Sequence, residues 1–108
     1  MIAVVKLEIF IPEEYLDALG EALYQAGAGR IGNYDHCKSI TRVEGTWRPL
    51  EQAQPFMGET GKISRAAELK VEVNCASERV AETLEAIRKV HPYEEPVINV
   101  LPLLNHLF

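Results

Sequence analysis

The chain opens on an alternation. In IAVVKLEIFI, residues 2–11, Ala3, Val5, Leu7, Ile9 and Ile11 fall on one side, and Val4, Lys6, Glu8 and Phe10 on the other. A period of two marks a strand with one strongly apolar face. Pro12 fits the first turn of a helix, where its missing N–H costs nothing. In PEEYLDALGEALYQAGAG the apolar period lengthens to that of a helix, through Leu16, Leu19, Leu23 and Ala26. Glu13, Glu14 and Asp17 suit its positive end, Gly20 weakens it slightly, and Gly27 is placed to terminate it. The same sequence of patterns returns later. ELKVEVNC sets Leu69, Val71, Val73 and Cys75 against Lys70, Glu72 and Asn74. Ser77 offers a capping side chain, and Val80, Leu84, Ile87 and Val90 form a second helical stripe. Arg88 and Lys89 complement the negative end of that helix, and Pro92 stops it at His91. PVINVLPLL then reads as a strand with proline at its entry and far end.

The stretch from 30 to 68 is less regular. GNYDHCKSITRVEGTW holds a strand from about Tyr34 to Val43, with Glu44-Gly45 as a turn into a short partner. RPLEQAQPFMGETGKISRAAE reads as a long loop, a feature that in a compact domain is functional or mobile. Two strand–helix–strand halves give an α+β, ferredoxin-like split βαβ fold: a four-stranded antiparallel sheet with two helices on one face, plus the long central loop. The opposite face, carrying Val4, Phe10 and their neighbours, is expected to need cover from another subunit.

A chain of 108 residues is expected to form a single domain, 1–108. Its net charge of −5 argues against nucleic-acid binding, which draws on a basic surface. No apolar run reaches the ~20 residues that span a bilayer. The N-terminal run lacks a basic leader and a cleavage site, so a cytoplasmic protein is expected, with no membrane partner. Cys37 and Cys75 form no CxxC motif, and spacing leaves their pairing open.

Three separated motifs, GAGRIGNYDHCKS, GTWRPLEQAQPFMGETGK and HPYEEPVINVLPLLN, resemble the CutA-like (PII-like) domain inserted in YqfO-type proteins of the NGG-one-interacting-factor-three-like family. The resemblance covers nearly the whole chain. It implies a homo-oligomer, a trimer, with small ligands bound in clefts between subunits. The longer family carries a two-metal site and a cyclohydrolase-type or hydrolase activity in flanking domains. None of that flanking sequence is present here, so the resemblance implies a free-standing insert rather than a catalyst.

Three places are candidates for chemistry. In HPYEEP, residues 91–96, His91 with Glu94 or Glu95 is a candidate metal site or acid–base pair. The competing reading is a joint between helix and strand, with the Tyr93 ring packed on the sheet and its hydroxyl directed at a partner. In YDHCK, His36 and Cys37 are good soft-metal ligands, but strand neighbours point to opposite faces, so a site would need His36 with His91, or Cys37 with a residue from elsewhere. In the long loop, Gly58 and Gly61 followed by Lys62 could offer backbone N–H groups to an anion, with Arg48 as clamp; the pattern departs from a P-loop. Trp47 is read as packing. The ligand-side residues are therefore Arg48, Gly61, Lys62 and Tyr93, and the metal-side residues His36, His91, Glu94 and Glu95. No catalytic residue is assigned. The leading expectation is a non-catalytic binding or regulatory module for an unspecified small molecule or anion. The alternatives are a divalent-metal binder using His36, His91 and the nearby carboxylates, with a divalent metal ion as the candidate cofactor, and a metal-dependent hydrolase by association with the longer family.

Overall fold

A computed structural model describes residues 1–108. The elements in chain order are β1 (Val4–Ile11), a 3₁₀ turn (Glu13–Tyr15), α1 (Leu16–Ala26), β2 (Ser39–Trp47), β3 (Ser64–Ala76), a second 3₁₀ turn (Ser77–Arg79), α2 (Val80–Val90), β4 (Ile98–Leu103) and a final 3₁₀ turn (Asn105–Leu107). The strands form one sheet in the order β2-β3-β1-β4, every neighbouring pair antiparallel. This is the ferredoxin-like arrangement that the two strand–helix–strand halves imply.

The register explains the core. Leu7 lies opposite Val73, Val5 opposite Cys75, Ile9 opposite Val71 and Ile11 opposite Leu69. These side chains share the helix-covered face with Leu19, Leu23 and Ile87, and the cluster is closed to solvent. Fully burying each such side chain is worth roughly 1.5–3 kcal/mol. The two halves are thus fastened by the stripes that their alternation predicts. Gly27 ends α1 in the left-handed region at φ 88°, and its N–H reaches the carbonyls of Leu23 and Tyr24.

Several expectations are corrected. The second strand runs from Ser39 to Trp47 and passes straight through Glu44 and Gly45, so no turn lies there. The third starts at Ser64, which claims the end of the expected loop for a 13-residue strand. Ser77 makes no side-chain cap; its hydroxyl donates to the Ile2 carbonyl at 2.6 Å instead. On α2 the deepest polar position is Thr83, whose hydroxyl donates to the Arg79 carbonyl at 2.6 Å, while Leu84 is only partly buried. The helix-free face of the sheet is not uniformly apolar. Lys6 and Glu72 pair across it at 2.9 Å, and Asn99 Nδ2 reaches Glu8 at 3.4 Å. Its apolar positions are Phe10 and Trp47 toward one end, Val4 with Leu103 at the other, and Val43 and Leu101 between them, opposite Glu68 and Lys6. No helix is long and apolar enough to cross a membrane.

Candidate functional site

Where β1 ends and β4 begins, the loop of residues 48–63 folds against the HPYEEP segment and lines a half-open cavity of about 570 Å³. Phe10 and Glu68 supply sheet positions on its wall, Trp47 stands at the end of β2, and Tyr93 comes from the joint after α2. Phe56 lines it from the loop. The rings form a connected set: Tyr93 lies 6.3 Å from Trp47, 6.0 Å from Phe56 and 5.0 Å from His91, centroid to centroid.

Local rules place these groups. Pro92 denies His91 a helical backbone, and His91 takes an extended conformation (ψ 131°) that turns the chain out of α2. Its imidazole is then 8% exposed. Nε2–H donates to the Phe10 carbonyl at 2.7 Å, and Nδ1 accepts the Tyr93 N–H at 3.2 Å. A carbonyl only accepts and an amide N–H only donates, so the ring is fixed as the neutral tautomer protonated at Nε2. Burial holds its pKa below the ordinary value, opposed by the Phe10 carbonyl and the Glu68 charge. One residue on, the Tyr93 hydroxyl donates to Glu68 Oε2 at 2.7 Å. Burial, then that hydrogen bond and the Glu68 charge, push the phenol pKa well above its usual range, so Tyr93 stays protonated as a donor.

Glu68 is the residue that sequence reasoning missed. It is 8% exposed, near the start of β3 and within the span read as loop. Its carboxylate lies over Gly45: a Cβ there would stand 1.9 Å from Oε1. Gly45 faces Ala66, two residues from Glu68 on the same side, which makes the pair diagonal neighbours. The glycine that resembled a turn is therefore a notch for a carboxylate. A lone glycine inside an otherwise strand-like run was the available signal. The loop is pinned in turn. Trp47 Nε1 donates to the Met57 carbonyl at 3.0 Å, and the Gln54 N–H donates to Glu94 Oε1 at 2.8 Å. Gly58 sits at φ 110°, where a Cβ would meet Ser64 Oγ at 2.7 Å.

Of the ligand-side expectations, Arg48 and Tyr93 line the cavity, as do Glu94 and Glu95 from the metal-side group. Gly61 and Lys62 do not line it. The Gly61 N–H is spent on the Pro49 carbonyl at 2.8 Å, and Lys62 pairs with Glu59 at 2.8 Å on the surface. The expected anion cradle is thereby taken apart.

The metal grouping also fails to assemble within the chain. Both His91 nitrogens are committed to backbone partners. His36 lies at the other end of the sheet, with φ 58°, its ring stacked 4.6 Å over Tyr24 in the last turn of α1 and its Nδ1 2.8 Å from Asp35. No three His, Cys, Asp or Glu side chains come together as a metal site. The donors present do not fit a structural divalent site, which draws on about four convergent ligands. Cys37 and Cys75 are free thiols, Cys75 buried beside Thr83.

Comparison with known proteins bears on this geometry. The family model of the CutA1 divalent ion tolerance protein matches residues 56–107. A "GTP cyclohydrolase 1 type 2 homolog" of Halalkalibacterium halodurans is 40% identical over 100 residues, which is 93% of this chain and 27% of that protein. The Mycobacterium tuberculosis protein of the same name is 38% identical over 99 residues, covering 92% of this chain and 26% of its own length. This chain thus spans about a quarter of those relatives. Among solved structures, a Bacillus cereus protein related to NIF3 superposes with a TM-score of 0.84 at 32% identity, over 96% of this chain and 26% of that one. The periplasmic divalent cation tolerance protein CutA of Archaeoglobus fulgidus superposes with a TM-score of 0.71 at 22% identity, over 94% of this chain and 85% of its own, a likeness of fold. In sequence the chain is similar to CutA1 over residues 56–107 and to a segment of the longer NIF3-related proteins, and in fold it is CutA-like.

Proposed function

We propose that this chain is a non-catalytic, oligomeric binding module of CutA/PII-like type, a trimer, and that its ligand seat is the cavity between the 48–63 loop and HPYEEP. The cavity carries this reading. Its volume of about 570 Å³ lies within the roughly 300–1,000 Å³ common to small-molecule sites. Two titratable groups beside it, Tyr93 and His91, are held for binding rather than turnover. Tyr93 is kept protonated beside Glu68, and His91 is locked between two backbone partners. Neither is free to shuttle a proton to a substrate. The cyclohydrolase name belongs to proteins of which this chain spans about a quarter, and it attaches to no grouping of side chains described above.

Support for assembly comes from the sheet. Both edge strands, β2 and β4, leave backbone donors and acceptors unpaired, and Val100, Leu104 and Leu107 are exposed along and beyond the β4 edge. Light scattering at micromolar concentration is expected to give three times the 12.1 kDa chain mass; a stable monomer would refute the oligomeric half. For the seat, a small-fragment screen read by amide chemical shifts is expected to move Trp47, Tyr93 and Glu94 together. A screen in which no fragment moves them removes the seat.

A further inference from the structure

We propose that the cavity takes an organic cation, a small molecule joining an ammonium or similar cationic group to an apolar body. This rests on the reading of the cavity as a ligand seat and names the chemistry it selects. Two features of the wall converge. The first is aromatic: Trp47, Tyr93, Phe56 and Phe10 line it, and Tyr93 stands 6.0 Å from Phe56 and 6.3 Å from Trp47. Ring faces attract a cation through their quadrupole, and they do so more strongly when it is desolvated.

The second feature is charge. Glu68, Glu94 and Glu95 face the cavity against Arg48 as the only basic side chain of the wall. Glu68 matters most, because it is almost closed to solvent and held in place by the Tyr93 hydroxyl at 2.7 Å and the Gly45 notch. A fixed carboxylate behind aromatic rings offers a cation a partner that needs no reorganisation on binding. Glu94 is anchored through one oxygen to the Gln54 N–H, which orients it on the same wall. An anion would meet this net negative charge, and Gly61 and Lys62, the groups suited to receive one, lie outside the cavity.

Trp47 is the single tryptophan of the chain and stands in the wall, so its fluorescence reports the site directly. Three probes sharing one ring separate the possibilities: benzyltrimethylammonium, benzyl alcohol and benzenesulfonate. Calorimetry on the same solutions covers a complex that leaves the fluorescence unchanged. The ammonium probe is expected to bind saturably, about tenfold or more tighter than the other two. Glu68→Gln, and separately the exposed Glu95→Gln, should each weaken the ammonium probe roughly threefold to tenfold while leaving benzyl alcohol unaffected. Should Glu68→Gln disturb the fold, Glu95→Gln still decides, because that side chain is exposed. Benzyl alcohol or benzenesulfonate binding as tightly as the ammonium probe overturns the cation assignment and leaves the seat standing. No binding of any probe, together with a silent fragment screen, removes both.

Discussion

Gly45→Ala tests the central contact of the site. Its backbone is in the extended region, which alanine adopts without strain, so on backbone entropy the substitution should stabilise β2 by about 0.5–1 kcal/mol. The tertiary structure reverses the sign. A Cβ at this position would lie 1.9 Å from Glu68 Oε1 and 2.8 Å from its Cδ, closer than atoms tolerate. The backbone cannot give way, because β2 is paired to β3 from Ser39 to Trp47. Glu68 must swing out, and it takes with it the 2.7 Å bond from the Tyr93 hydroxyl. A hydrogen bond to a charged acceptor is worth roughly 1.5–3 kcal/mol, and a donor left unpaired adds to the loss. The expected net effect is destabilisation by about 1–2 kcal/mol, once the alanine gain is subtracted. With Glu68→Ala in place the clash is gone, and the same Gly45→Ala change should then be neutral or stabilising by about 0.5–1 kcal/mol. Urea unfolding of the four variants, followed by both Trp47 fluorescence and circular dichroism, measures this coupling. Gly45→Ala at or above wild-type stability, or an equal cost in both backgrounds, would refute the notch.

Two further outcomes follow from buried groups. Burial lowers the His91 pKa below its ordinary 6.5, so the unfolded chain takes up the proton first. This part of the stability is complete above about pH 6.5 and falls as pH drops through that value. Urea midpoints measured from about pH 8 down to about pH 5 should decline more steeply for wild type than for His91→Gln, and parallel curves would contradict the assignment. The two free thiols should react with an aromatic disulfide reagent in separate phases, Cys37 in the native protein and Cys75, 2% exposed, only on unfolding. A single phase for both would show that Cys75 is not sealed behind Thr83.

Much of the architecture was legible because period and partner coincide. Val5, Leu7, Ile9 and Ile11 meet Val71, Val73, Cys75 and Leu69 in register, so an alternation visible in each strand alone is also what binds them. The joint reading of HPYEEP was legible for a similar reason, since Pro92 constrains its neighbour wherever the chain goes. β2 was misplaced because its exposed outer strand carries little apolar alternation, and the head of β3, SRAAE, carries almost none. The site was the least legible part. Arg48 and Tyr93, expected on the ligand side, both line the cavity, whereas His91, a metal candidate beside the joint reading, has both nitrogens on the backbone of Phe10 and Tyr93.

By itself, the sequence determined two strand–helix–strand halves and the faces they bury, because those depend on side-chain period, which is a local property. Which carboxylate is hidden, why Gly45 must be glycine, and which aromatic rings enclose a common space were decided only when β2, β3 and the joint after α2 came together. Those are contacts between residues far apart in the chain, and no spacing along it encodes the distance between Glu68 and Tyr93.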